Sequence, residues 1–191
     1  MSKSLSFLVL AGLVALYIVG NINYALRLDE KTSAAWAEVE NQYQRRFDLI
    51  PNLVATVKGY AEHENKTLNE VVEARVQAAQ NRVNLGSESD FKKYISAQDG
   101  LSTALSRLLA VAEAYPELKA EARFGELQSQ LEGCENRIAV ARRDYIEAVQ
   151  RYNYRLRVFP AGMMIKYFTD LQPKPVFSVA EEVKKTPEVH F

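Results

Sequence analysis

The sequence predicts an all-α protein, a long antiparallel helical bundle that follows an N-terminal transmembrane helix. Three observations carry this expectation. Ser4 to Leu26 is a run of 23 residues without a charge. The body from Asp29 to Phe159 holds just two prolines, Pro51 and Pro116. No segment alternates apolar and polar residues for long enough to argue for a strand.

The apolar part of the opening run, Leu5 to Ile22, would measure about 27 Å as a helix, against a hydrocarbon core of about 30 Å. Residues 1–26 are therefore assigned as a membrane anchor. Its apolar side chains are Leu5, Phe7, Leu8, Val9, Leu10, Leu13, Val14, Leu16, Tyr17, Ile18, Val19 and Ile22. A secretory signal peptide is the competing reading, because Lys3 supplies a basic start. A small-x-small cleavage site is missing where the run exits through Gly20, Asn21, Ile22, Asn23 and Tyr24, which favours a retained anchor. Lys3 on one flank balances Arg27 and Lys31 on the other, so the positive-inside rule does not choose a side for the body.

The 24 basic and 24 acidic side chains cancel, leaving no long-range field to recruit nucleic acid. A single cysteine, Cys134, excludes an intrachain disulfide framework and a cysteine-based zinc site. What remains after the anchor has the size of one domain, assigned to 27–170, with 171–191 as an extended tail rich in proline.

The body helices follow from spacing. Trp36, Val39, Tyr43, Arg46, Ile50, Leu53, Val57 and Tyr60 step by three and four, and the pattern runs on through Val71 and Ala78 to about Arg82. Pro51 leaves the apolar phase unchanged and so predicts a kink rather than a reversal. A second stripe, Phe91, Tyr94, Gln98, Leu101, Leu105, Leu108, Ala112 and Tyr115, follows a start rich in serine and aspartate caps. Pro116 is read in the first turn of the next helix. The longest face is Phe124, Leu127, Leu131, Cys134, Ile138, Ala141, Tyr145, Ala148, Tyr152, Arg155 and Phe159. Beyond it, Pro160 and Gly162 stop the helix, and Met163 to Phe168 reads as a short fourth helix or a dip into the bundle.

On these lengths the first helix descends about 54 residues and the second returns only about 26, roughly 40 Å, short of the bilayer. The membrane-proximal stripe of Trp36, Val39 and Tyr43 is then uncovered. Such a stripe predicts self-association, a homo-oligomer packed through those three residues.

Chemistry is sparse. His63 is flanked by Glu62 and Glu64, adjacent side chains that point apart on a helix, and the other histidine is His190. No metal, phosphate or nucleophile motif occurs, so neither an enzyme nor a cofactor is expected. Cys134 reads as a small buried side chain. Arg46 and Arg155 interrupt apolar seams, and a buried guanidinium needs a carboxylate, for which Glu40, Asp48, Glu135 and Glu147 are candidates.

The segments AWAEVENQYQRRFDLIPNLVATVKGYAEHE (35–64), ALSRLLAVAEAYPELKA (104–120), FGELQSQLEGCENRIAVARRDYIEAVQRYN (124–153) and the terminal TPEVHF resemble the LemA family of bacterial membrane proteins. Ile146 and Phe47 are mild departures. The resemblance implies an N-terminal membrane helix, an antiparallel four-helix bundle and no established catalytic activity. It also implies magnetosome relatives associated with membrane organelle formation, and a TPM-domain protein as partner. Trp36, Asn41, Arg45, Arg46, Asp48, Pro51, Asn52, Glu135, Asn136 and Arg142 match signature positions; Arg46, Arg155, Glu135 and Asn136 are the structural polar candidates. The expected role is a self-assembling scaffold or interaction protein of the bacterial envelope. It would cross the cytoplasmic (inner) membrane once, with the lipid bilayer as a partner. The alternative is a tethered binding module that holds a small molecule or peptide inside the bundle.

Overall fold

The computed structural model describes residues 3–61, 63–81 and 83–177, apart from the side chains of Lys3 and Ser4. The helices are α1 (Lys3–Tyr60), α2 (Asn65–Gln80), α3 (Glu88–Ala112), α4 (Pro116–Lys119), α5 (Ala122–Arg157) and α6 (Ala161–Phe168). The described residues contain no strand. The expectations for Glu62, Arg82 and His190, and for the tail beyond residue 177, fall outside them.

One seam organises α1. Asn21, Ala25, Leu28, Thr32, Trp36, Val39, Tyr43, Arg46, Ile50, Leu53, Val57 and Ala61 are all buried, at steps of three and four. A seam at this spacing lets one partner helix follow α1 along its length. The partner is α5, whose own buried face is Phe124, Leu127, Leu131, Cys134, Ile138, Ala141, Tyr145, Val149 and Tyr152. N-terminal to this seam, nearly every large side chain from Leu5 to Val19 is exposed, and the segment is long and apolar enough to cross a membrane.

One expectation about connectivity is corrected. The first helix does not run on to Arg82; it ends at Tyr60, turns at 61–64, and α2 returns beside it. The turn has no proline or glycine, and Val57, Ala61, Leu68 and Val71 are buried on both sides of it, so the apolar rhythm hides the reversal. α1 passes through Pro51 as one helix. Pro51 cannot donate to the Phe47 carbonyl, and Arg75 Nε of α2 donates to that oxygen instead at 3.4 Å.

The extra reversal changes the direction of everything after it. α3 starts from an N-cap in which Ser87 Oγ accepts from the Asp90 amide at 3.3 Å, and runs parallel to α1. Pro116 opens the one-turn α4, and α5 then runs antiparallel to α1. Tyr60 donates to Glu121 at one end of the α1–α5 pair, and Arg155 bonds Asn21 at the other. The last long helix therefore climbs back to the membrane end. It covers Trp36, Val39 and Tyr43, which are at most 4% exposed, so these residues are core and not a self-association surface.

Residues 171–177 lack helix and strand, as expected of a tail, yet they are strapped along the bundle. Tyr152 and Tyr145 hydroxyls donate to the Gln172 and Pro175 carbonyls at 3.0 and 3.1 Å. Asn153 pairs with both backbone groups of Lys174 at 2.8 and 2.9 Å.

Candidate functional site

The most specific constellation is built around Arg46, which is 0% exposed. Its Nη1 donates to Glu135 Oε1 at 2.9 Å and to Ser102 Oγ at 2.6 Å. Its Nη2 donates to Gln98 Oε1 at 2.5 Å and to the Gln98 carbonyl at 3.2 Å. Three helices are thus tied through one guanidinium, whose planar fork suits several acceptors at once. Gln98 is also 0% exposed, whereas the Glu135 side chain is 43% exposed, so the ion pair sits with its acid at the surface and its base in the core.

Toward the membrane the polar layer gives way to an aromatic one. Arg142 Nε donates to the Tyr43 hydroxyl at 2.9 Å while its Nη2 meets Asp99 Oδ1 at 2.9 Å. The guanidinium also lies 5.2 Å from the Phe177 ring. Trp36 is enclosed by Phe91, Tyr94, Tyr145 and Phe177, with ring centroids 5.1 to 6.2 Å apart. The tilted and edge-on geometries are those that aromatic quadrupoles favour. Burial raises the phenol pKa values of Tyr43, Tyr94, Tyr145 and Tyr152 above the ordinary tyrosine range, the Arg142 and Arg46 charges partly opposing it at Tyr43. Next along, Lys174 Nζ binds Asp29 Oδ1 at 2.7 Å and Ser33 Oγ at 3.1 Å, and lies 5.3 Å from the Tyr152 ring.

At the membrane end, Arg155 finds no carboxylate among the described residues, contrary to expectation. It donates to Asn21 Oδ1 and lies 5.1 Å from the Tyr24 ring. The amide and the ring face hold a half-buried guanidinium whose Nε is buried without a hydrogen-bond partner among the described residues. Asn136 is also corrected: it is exposed on α5 and joins no polar core. Asn41, Arg45, Asp48 and Asn52 are likewise exposed. Cys134 is buried and donates to the Gln42 carbonyl at 3.2 Å, and burial, with Glu135 nearby, raises its thiol pKa. His63 lies exposed in the α1–α2 turn rather than on a helix. No group of three or more His, Cys, Asp or Glu converges among the described residues.

Sequence reasoning passed over Asp99, Ser102, Lys174 and Phe177. Gln98 carried a usable signal, a polar residue at a seam position facing Arg46. Phe177 carried none, since a seven-residue strap has no periodicity to read.

The fold and this seam define a class: an all-helical, membrane-associated bundle whose first helix emerges from an apolar span. The LemA family profile matches residues 35–191, and the chain belongs to the LemA family. It is 26% identical to magnetosome protein MamQ 1 of Paramagnetospirillum magneticum, over 72% of this chain and 58% of that protein. It is 23% identical to magnetosome protein MamQ of Magnetospirillum gryphiswaldense, with the same coverage. It is also 23% identical to protein LemA of Metamycoplasma hominis, over 93% of this chain and 78% of that protein. The match thus spans somewhat more than half the length of the magnetosome relatives.

Proposed function

We propose that this protein is a non-enzymatic scaffold of the bacterial envelope, crossing the cytoplasmic membrane once and assembling with itself and with a partner protein. The supporting observation is the continuity of α1 from Lys3 to Tyr60. A flexible linker suffices to keep a domain near a membrane. A helix that passes unbroken from the apolar span into the bundle also fixes the height and orientation of the bundle, which a scaffold requires. Self-assembly proceeds through the anchor helices and exposed faces, since the Trp36 stripe is occupied by the chain itself. The relatives named as magnetosome proteins support a role in membrane organisation, and the family resemblance supports a TPM-domain protein as partner. Mass photometry of the full chain in lipid nanodiscs tests self-assembly: species larger than one copy are expected, and monomer alone would reject it.

A second reading, a binding module for a small molecule or peptide, rests on a groove between α3 and α5. It is lined by Ser102, Leu105, Leu109, Glu135 and Asn136 and opens beside the Arg46 ion pair. A ligand there would lie on the bundle rather than within it, because the rings around Trp36 fill the interior.

A further inference from the structure

Phe159 continues the apolar face of α5 in the sequence, yet it is 79% exposed. It is not isolated: Met163, Tyr167 and Phe168 of α6 are 63%, 82% and 55% exposed. Single exposed apolar residues are ordinary, but four large ones within ten residues form a patch that water disfavours. The opposite face of α6 is committed, with Ala161 and Ile165 buried against Ala25 of α1. Gly162 lets α6 fold back tightly on the end of α5, since a Cβ there would lie 2.3 Å from the Leu156 carbonyl oxygen.

The position of the patch identifies its occupant. Ala25 is three residues beyond Ile22, about 4.5 Å along the helix axis, so α6 is held where the apolar span ends. Arg155 reaches Asn21 and Tyr24 at the same level. Phenylalanine, methionine and tyrosine beside exposed Arg157 and Lys166 form the composition that sits in the headgroup layer, rings toward the acyl chains and cations toward phosphate. We infer that α6 and the turn before it are a second membrane contact, an interfacial patch resting on the lipid bilayer beside the emerging α1. The patch lies at the level where the span ends, and the anchor already holds it at the surface, so modest apolar contact suffices. With α1, it gives the bundle two points of support and resists tilting.

This inference rests on the reading that Leu5–Ile22 spans the bilayer, and one experiment separates the two. Spin labels are placed in the full chain at Met163→Cys and Tyr167→Cys, with Leu13→Cys in the span and Ser129→Cys on the distal part of α5 as references, all in a Cys134→Ser background. After reconstitution into phosphatidylethanolamine–phosphatidylglycerol vesicles, accessibility to oxygen and to a water-soluble nickel complex is read by electron paramagnetic resonance. Positions 163 and 167 are expected to show an oxygen-to-nickel ratio several-fold above that at 129 and below that at 13. Labels at 163 and 167 as wet as 129, with 13 in lipid, would overturn the second contact alone. Shielding from both reagents with spin–spin broadening would place a second protein copy there and overturn it too. A wet label at 13 would remove the span and this inference with it.

Discussion

Replacing Arg46 with methionine isolates the polar centre of the bundle. The change keeps an unbranched stem in the core and deletes the guanidinium that bonds Gln98, Ser102 and Glu135. Glu135 is half exposed and turns to water, as does the partly exposed Ser102, so losing their bonds costs about 0.5–1 kcal/mol. Gln98 is wholly buried, and its Oε1 stays dry without a donor, at about 1–3 kcal/mol. The backbone carbonyl of Gln98 lies within α3 and retains its helical bond. The sum is about 1.5–4 kcal/mol, or a melting temperature lower by about 3–16 °C for a domain of this size. Urea unfolding of the detergent-solubilised chain measures it, with fluorescence of the one tryptophan, Trp36, as the probe. Adding Gln98→Met removes the orphaned acceptor and should restore stability to within about 1 kcal/mol of the parent, as replacing a buried polar set by apolar residues often does. An Arg46→Met chain as stable as the parent, or a double variant less stable than the single one, would refute the reasoning.

Phe177→Ala opens one wall of the Trp36 enclosure; a loss of about 1–2 kcal/mol and a red shift of Trp36 emission are expected, and unchanged emission would show that the strap is not docked. Gly162→Ala forces α6 away from Leu156 at a cost on the order of 2 kcal/mol, and should raise amide exchange across 158–168 while α3 stays protected. Alkaline pH acts through the tyrosines. The folded chain holds the protons of Tyr43, Tyr94, Tyr145 and Tyr152 more tightly than the unfolded chain, whose phenols ionise near pH 10. The stability they contribute is full below about pH 10 and is lost as pH rises through the raised folded values. Denaturation midpoints that stay level above about pH 10 would contradict this.

The helical class, the face of α3, the face of α5 as far as Tyr145 and the Arg46 position were legible because periodicity records burial directly; beyond Tyr145 the buried position is Val149 rather than Ala148, and Phe159 is exposed. A charged residue at the step between Tyr43 and Ile50 can be there only with partners, and Glu135 is one of them. The chain reversal at 61–64 was not legible, because helices on both sides bury the same phase and no proline or glycine marks the turn. That one missed turn inverted the direction of α5 and made a covered stripe look bare. Asn21 was readable only as the polar end of the apolar run; its partner Arg155 is set by how far α5 climbs, which depends on the same turn. The docking of Gln172, Lys174, Pro175 and Phe177 depends on long-range contacts that no local pattern encodes.

In this fold α1 continues from the apolar span as one helix and α5 returns along it. Paired spin labels at exposed positions, Asn23 with Tyr154 and Lys58 with Tyr154, measured by double electron–electron resonance on the full chain in nanodiscs, test it most directly. A short 23–154 distance is expected, with a 58–154 distance of about 50 Å, the length of the intervening α1 at about 1.5 Å per residue. A long 23–154 distance with a short 58–154 distance would mean that the last helix runs away from the membrane, and would contradict it.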